Sequence, residues 1–441
     1  MTGEEAEAYI HSFGWESRAP GLGRIRELLR RLGDPQKGQR ILHVAGTNGK
    51  GSVCACLASI LEAAGYRTGL NTSPHLERFS ERIRAGGREI SGEDLGAVTE
   101  RVRSAAGAMG EHPTEFELIT AAAFLYFQRM DCDVLVLETG LGGALDASNV
   151  IDAPELAVLT AMGMDHAAIL GPSLREIAAA KAGIIKPGTE VVSRGGCPEA
   201  DAVFRRVCRE QGVRLTELDL DRLTLRRLSL EGAVFDFAPW EGLTVPLAGA
   251  YQAENAALAL TAVERLREKG WRIPEEAVRR GLAAVRWPGR FEVLGRDPVF
   301  LLDGAHNAHG MRAAAESLRR LLPGKKITLL LGILADKDAG EMLDLLVPLA
   351  ERVFVLRPDS PRAMAPETLC ALLAERGAEA RPCAGVEAGI EAALAAAGRD
   401  GTVCALGSLY LCGEVRRAFF QNFSSPGGLT SREDAFMIRK N

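Results

Sequence analysis

Short, almost wholly apolar runs recur through the first half of the chain, and stretches with helical spacing of apolar residues separate them. The runs Arg40–Ala45, Val134–Glu138 and Leu156–Thr160 lack the alternation of a half-exposed strand, and a further short strand is expected at Arg67–Asn71. Continuous apolar strands are those buried on both faces, as in a parallel sheet. Helical periodicity covers Glu4–His11, Leu22–Leu32, Lys50–Ala64, Glu93–Ala108 and Thr114–Arg129. Between Val213 and Leu247 the pattern shortens to alternating segments such as Ala233-Val234-Phe235-Asp236-Phe237, which predict hairpins and a small accessory sheet. Helices return at Gln252–Glu268 and Pro274–Ala284. Trp287-Pro288-Gly289-Arg290 then breaks regular structure, and the inter-domain linker is expected at Arg290–Pro298.

A second alternation follows. Strands are expected at Val299–Leu302, Ile327–Leu331, Val353–Leu356 and Thr402–Leu406, with helices at Gly310–Leu322, Ala339–Leu349, Pro366–Arg376 and Val386–Ala397. The fold class is therefore α/β: an N-terminal domain with a mostly parallel sheet plus a small accessory sheet, and a C-terminal doubly wound, Rossmann-like domain. The expected boundaries are residues 1–290 and 298–423, with 424–441, polar and punctuated by Gly and Pro, as a disordered tail. A length of 441 residues agrees with two domains.

Composition narrows the function classes. A net charge of −5 with scattered Lys and Arg gives no footprint for nucleic acid or an anionic membrane. No apolar run reaches the ~20 residues of a transmembrane helix, and the acidic start Met1-Thr2-Gly3-Glu4-Glu5 lacks a secretion signal's basic-then-apolar order. The nine cysteines show no C-x-x-C pairing, as for buried thiols in a reducing compartment. A cytoplasmic protein is expected.

Chemistry enters at the end of the first apolar run. Gly46-Thr47-Asn48-Gly49-Lys50-Gly51-Ser52 joins that strand to the helix beginning at Lys50. Strand, glycine-rich turn and helix N-terminus together form a phosphate cradle, with Lys50 for the β/γ-phosphates and Ser52 offering a hydroxyl to phosphate or Mg²⁺. Gly51 separates lysine from hydroxyl, so this is a variant of the usual P-loop. Glu138 ends another buried strand, where a carboxylate can hold Mg²⁺. His166, after the next strand, is a candidate to complete that metal shell, with Asp165 orienting it. Lys181 lies among alanines on an apolar helix. Burial favours its neutral amine, which can react with CO₂ to give an anionic carbamate ligand. Arg290, Asp303 and His306 flank the linker and the ligand-facing end of the second domain's first strand.

In order along the chain, these pieces resemble the folylpolyglutamate synthase/dihydrofolate synthase family of the Mur ligase superfamily. The resemblance runs from about Ile41 to Arg417. It is carried by Gly46 to Ser52; Ser73-Pro74-His75-Leu76 with Glu81-Arg82-Ile83; Thr114-Glu115-Phe116-Glu117; Glu138 to Asn149; Asp165-His166; Lys181-Ala182-Gly183-Ile184; Pro288-Gly289-Arg290; Asp303 to Asn307; and Gly407 to Leu411. It implies that Asn48, Gly49, Lys50, Gly51 and Ser52 hold the ATP phosphates, with Asn255 on the adenine side and Arg290 and Asp303 as further ATP contacts. It also implies Ser73, Glu138, His166 and a carbamylated Lys181 around Mg²⁺, with Lys50, Lys181 and His166 as the catalytic set. Thr114, Phe116, Asp146 and His75 fall on the side of the pterin or pteroate. Two positions depart from the family pattern: Ala144 stands where Arg is usual, and Ala180 where Glu commonly precedes the lysine.

The implied activity is an ATP-dependent amide ligase that adds L-glutamate to folate, and also to dihydropteroate, through an acyl phosphate. The expected partners are those small molecules, with no nucleic acid and no membrane, and a monomer is expected. Two alternatives stay open. One is another ligase of the superfamily acting on a cell-wall precursor, which Gly51 and the Ser73–Leu76 segment disfavour; the other is a regulatory ATPase with no small-molecule product.

Overall fold

The computed structural model describes residues 1–14 and 21–423, so the expected tail at 424–441 lies outside the described residues. The chain divides into two compact units. One comprises residues 1–226, 234–246 and 253–286, and the other 227–233, 247–252 and 287–441.

The first unit is built on an eight-stranded sheet of β1 (Ile41–Ala45), β2 (Thr68–Asn71), β3 (Ile83–Ala85), β4 (Arg88–Glu89), β5 (Val134–Glu138), β6 (Leu156–Leu159), β7 (Glu190–Ser193) and β8 (Leu215–Glu217). The order is β4-β3-β2-β5-β1-β6-β7-β8. Every residue of β1, β5 and β6 is buried, as their unbroken apolar runs require. β1 lies parallel between β5, with Ile41 beside Leu135, and β6, with Leu42 beside Leu156. The chain leaves β1 through the helix Lys50–Ala63 toward β2, whereas β6 is added on the opposite side. The carboxyl end of β1 is thus a topological switch point, where open α/β sheets bind ligands.

Sequence periodicity does not reveal β3 and β4, which are too short. They form an antiparallel pair turned by Gly86 and Gly87, both at positive φ as such a tight turn requires. The hairpin segment becomes β9 (Leu223–Ser229), β10 (Gly232–Phe237) and β11 (Trp240–Val245), in the sheet order β11-β10-β9.

The second unit's sheet contains β12 (Glu292–Arg296), β13 (Val299–Leu302), β14 (Ile327–Leu331), β15 (Ala350–Val355), β16 (Ala380–Pro382) and β17 (Thr402–Leu406). Its order is β12-β13-β17-β14-β15-β16, parallel except for β12 against β13. The segment Arg290–Pro298 is therefore not an extended linker. Most of it is β12, which covers the edge of β13, with a register shift at Gly295 where the ring of Phe419 leaves only about 3.0 Å for a Cβ. A core of Leu301, Leu329, Leu331, Val353, Val355 and Leu406 packs under the helices Ala308–Leu321 and Ala339–Leu346.

Candidate active site

The phosphate loop is shaped by what cannot fit in it. Gly46 has φ +153°, and a Cβ there would run into the Thr160 hydroxyl. The next two N–H groups, of Thr47 and Asn48, both donate to the Ala161 carbonyl, at 3.0 and 3.2 Å. The Thr47 hydroxyl adds a bond to the Gly163 carbonyl, 3.0 Å. These bonds clamp the loop to the segment leaving β6. Gly49, at φ +88°, opens the helix Lys50–Ala63 without a side-chain cap, and a Cβ on it would come within 2.5 Å of Asn255 Oδ1. An uncapped N-terminus leaves the first-turn N–H groups for an anion, with the helix dipole behind them. Lys50 Nζ donates back to the Thr47 carbonyl at 3.2 Å and stands 4.0 Å from Glu138 Oε1. Gly51 and Ser52 are buried in the first turn.

Glu138 is buried at the end of β5, and its Oε2 accepts the Ser73 N–H at 3.1 Å. Lys181 comes from the helix Leu174–Ala182, is only 4% exposed, and donates from Nζ to the Gly46 carbonyl at 2.7 Å. Burial, then the charge of Lys50, brings its pKa down to about 7, against the pull of Asp165 and Asp146. A lysine so placed is partly a neutral amine near neutral pH, the form that reacts with CO₂. His166 sits at φ +52° as the cap of the short helix Ala167–Leu170, where its N–H donates to Asp165 Oδ1 at 2.9 Å. Its ring remains about one-third exposed, with Nε2 3.8 Å from the same carboxylate oxygen.

Among the described residues no three His, Cys, Asp or Glu side chains converge as a ready-made metal cage. The sequence-derived set is different in kind: a hydroxyl, a carboxylate, an imidazole and a lysine. Mg²⁺ is normally held in this way, by one or two hard protein donors plus substrate phosphates, and a buried carboxylate facing the phosphate loop fits it. Glu138→Gln and His166→Ala are each expected to shift the Mg²⁺ dependence of turnover to higher concentration, by about tenfold for the loss of one ligand-side group. Titration curves that overlay the parent's would make both residues structural.

The loop after Glu138 spans two neighbours. Gly140 lies under the Phe116 ring, since a Cβ would stand 2.7 Å from its Cζ. Gly143 lies equally close to the Lys181 carbonyl, at 2.7 Å. Ala144 N–H donates to the Ala180 carbonyl at 2.7 Å, so the two departures from the family pattern lie against each other. Asp146 is buried, accepting from Leu141 N–H at 2.8 Å and Ser148 N–H at 3.0 Å, while Ser148 Oγ donates to it at 2.5 Å. Burial raises its pKa, and these donors pull it back down. Its lone pairs are therefore largely engaged, and a further partner would compete with a bond already made. Thr114 caps the helix Glu115–Arg129 in a reciprocal box with Glu117, and His75 Nδ1 accepts from Arg82 Nε at 2.8 Å.

Within the first unit the fold thus gathers Asn48 to Ser52, Ser73, Glu138, Lys181 and Asn255 around one strand end. In the second unit Asp303, just after β13, is buried. It accepts from Tyr251 Oη at 2.7 Å, Phe291 N–H at 2.8 Å and Ala305 N–H at 2.9 Å. Burial raises its pKa, whereas Tyr251 and the Arg290 guanidinium lower it. His306 Nδ1 pairs with the Gly304 carbonyl at 2.8 Å. Tyr251 and Thr47 are the residues that motif reading passed over. Thr47 lies inside the recognised loop and Tyr251 just before the helix expected from Gln252, but only their partners give them roles.

Two family models match the chain: the Mur ligase middle domain over residues 44–263, and the Mur ligase, glutamate ligase domain over 289–409. A dihydrofolate synthase/folylpolyglutamate synthase of Bacillus subtilis is 38% identical, over 82% of this chain and 86% of its own length. A folylpolyglutamate synthase of Lacticaseibacillus casei is 37% identical, over 95% of this chain and 98% of its own. An Escherichia coli structure in complex with DHPP and ADP superposes with a TM-score of 0.86 at 31% identity, covering 96% of this chain and 99% of the other.

Proposed function

The chain belongs to the folylpolyglutamate synthase/dihydrofolate synthase family of Mur ligases, and on that premise we propose how its residues divide the work of joining L-glutamate to a folate. The enzyme is an ATP-dependent ligase, with ATP as a substrate and Mg²⁺ as its metal. A carboxylate oxygen of the acceptor attacks the γ-phosphorus, the bond to the bridging oxygen breaks, and ADP leaves. The glutamate amine then attacks the acyl phosphate carbon, phosphate departs, and the nitrogen loses a proton as the amide forms.

Asn48 to Ser52 cradle the phosphates, and Lys50 carries a point charge to the transferring group, the electrostatic effect that dominates phosphoryl transfer. Ser73, Glu138, His166 and Lys181 are the metal side, and bound Mg²⁺ supplies charge neutralisation at the phosphates. Asn255 serves the adenine side, and Arg290 and Asp303 are further ATP contacts. By its motifs the ATP-binding domain is residues 1–290 and the glutamate ligase domain 298–423, while the compact units themselves divide between 286 and 287. The observation that supports this division best is the meeting of Lys50, Glu138 and Lys181 at the phosphate loop, with Lys181 Nζ bonded to the Gly46 carbonyl. Nine free thiols and the use of ATP support a cytoplasmic setting, and no helix among the described residues is long and apolar enough to cross a membrane. A monomer is part of the same proposal.

For the acceptor we propose both dihydropteroate and a reduced folate. Thr114 and His75 flank the site, Phe116 offers a flat face for a heterocycle, and Asp146 holds the loop beneath it. Phosphate release with ATP and glutamate, comparing dihydropteroate with tetrahydrofolate, tests this directly. Phe116→Ala and Asp146→Ala are expected to impair dihydropteroate use about tenfold more than use of an acceptor already bearing glutamate, since stacking and loop placement act at the pterin end. Equal losses with both acceptors would remove the pterin assignment. A cell-wall ligase would release phosphate with a nucleotide-sugar peptide and with neither folate.

A further inference from the structure

We propose that His43 is a positioning residue of the acceptor site, fixing the loop 139–146 to the phosphate-bearing strand through Ser148 and Asp146. This rests on the reading of that loop as the acceptor side.

His43 lies in the middle of β1, fully buried, on the strand that leads into Gly46. Its Nε2 is 2.8 Å from Ser148 Oγ, which is 2.5 Å from Asp146 Oδ1. A serine has one hydroxyl hydrogen and an ionised carboxylate has none. The hydrogen therefore goes to Asp146, and Ser148 Oγ accepts from His43 Nε2–H. Burial, helped by the charge of Lys186, keeps the ring neutral by pushing His43 down to about 3. Asp146 Oδ2 in turn accepts Leu141 N–H at 2.8 Å. A continuous string of hydrogen bonds thus runs from β1 to the backbone of the loop that carries Gly140 under Phe116 and Gly143 against Lys181. Such strings reinforce one another in a low-dielectric interior.

The other ring nitrogen points to the same conclusion. His43 Nδ1 is buried with no hydrogen-bond partner among the described residues. An unsatisfied buried polar atom costs stability that nothing returns. A leucine would suit this slot, whose same-face neighbours Ile41, Leu137 and Ala157 are all buried, without that cost. What imidazole adds is the Nε2–H donor, which serves the loop rather than the strand.

The test compares His43→Leu, His43→Gln and Ser148→Ala. Glutamine keeps an N–H donor near the Nε2 position, and leucine does not. His43→Leu is expected to melt no lower than the parent, yet to raise KM for the acceptor about tenfold while KM for ATP stays within about twofold, as a displaced loop requires. His43→Gln should restore the acceptor KM. Amide exchange at Leu141 and Ser148 should quicken about tenfold in His43→Leu and Ser148→Ala, but not in His43→Gln. An unchanged acceptor KM with unchanged exchange overturns the proposal. So does a rise of both KM values in step with a lower melting temperature, which marks a purely structural residue. If the parent makes no product with either acceptor, the functional reading falls, and exchange at Leu141 alone decides whether His43 holds the loop. Should His43→Leu not fold, Ser148→Ala carries the same measurements.

Discussion

Lys50→Ala is expected to abolish ligation in a protein that still folds. Among the described residues the lysine side chain makes one hydrogen bond, to the Thr47 carbonyl, and stands 4.0 Å from Glu138 Oε1. The loop's shape depends instead on Gly46, Gly49 and the backbone bonds to Ala161. Alanine therefore removes a charge and leaves the cradle. Loss of one oriented electrostatic group at such a site typically lowers turnover about 10²-fold or more. A second effect acts in the same direction. The Lys50 charge helps hold Lys181 down at about 7, and without it Lys181 returns toward its protonated form. Phosphate release and a melting curve on the same sample check this. A folded variant within about tenfold of the parent would remove Lys50 from the chemistry.

Lys181→Ala is expected to be as damaging, for a different reason. Its amine is buried against the Gly46 carbonyl, where an ammonium is costly and a neutral amine, the form that reacts with CO₂, is not. Turnover should fall about 10²-fold, with no recovery on adding bicarbonate. The parent, stripped of CO₂, should regain activity when bicarbonate is returned. Mass spectrometry showing an unmodified lysine in fully active enzyme would end the carbamate reading. The depressed pKa also gives a stability signature. The cost of burying the ammonium is absent above the unfolded value of 10.5 and in full force once pH falls through about 7. Between those limits the unfolded chain binds the proton that the native chain refuses, so stability rises with pH. CO₂-free parent should therefore gain on Lys181→Ala in denaturant melts run from pH 7 toward pH 10, and parallel curves would contradict the burial argument.

The parts of the fold legible from sequence are those where one physical demand dominates. β1, β5 and β6 are buried on both faces, so their runs are continuous, and Gly46 to Ser52 reads as a phosphate loop because the strand before it and the helix after it are equally plain. β3 and β4 are too short to show a period, and β12 hides in a stretch that begins with Pro288 and Gly289. Lys50, Glu138 and Lys181 were singled out by residue type and position, and the fold brings them together at one strand end. Tyr251 on Asp303 was not, because its role exists only once the chain brings two distant positions together. Asp146 is the instructive case. A carboxylate in a glycine-rich loop reads as a ligand, whereas the structure shows it already engaged by Leu141 and Ser148. Spacing cannot distinguish a group that meets the substrate from one that holds the loop that does.

The strand order of the first unit also governs how the enzyme is born. β1 carries the phosphate loop, yet both strands that flank it, β5 and β6, are encoded far downstream, with Leu135 beside Ile41 and Leu156 beside Leu42. A ribosome that has just finished the loop has made neither neighbour. The nascent β1 must therefore wait, apolar and unpaired on both edges, until more than a quarter of the polypeptide has emerged. Pairings so distant along the chain carry a large closure entropy and form slowly. The architecture that places the glycine-rich loop at the centre of the sheet thus makes the strand that carries it the longest exposed during synthesis. Of the segments in this unit, β1 is the one with most to gain from a chaperone's cover.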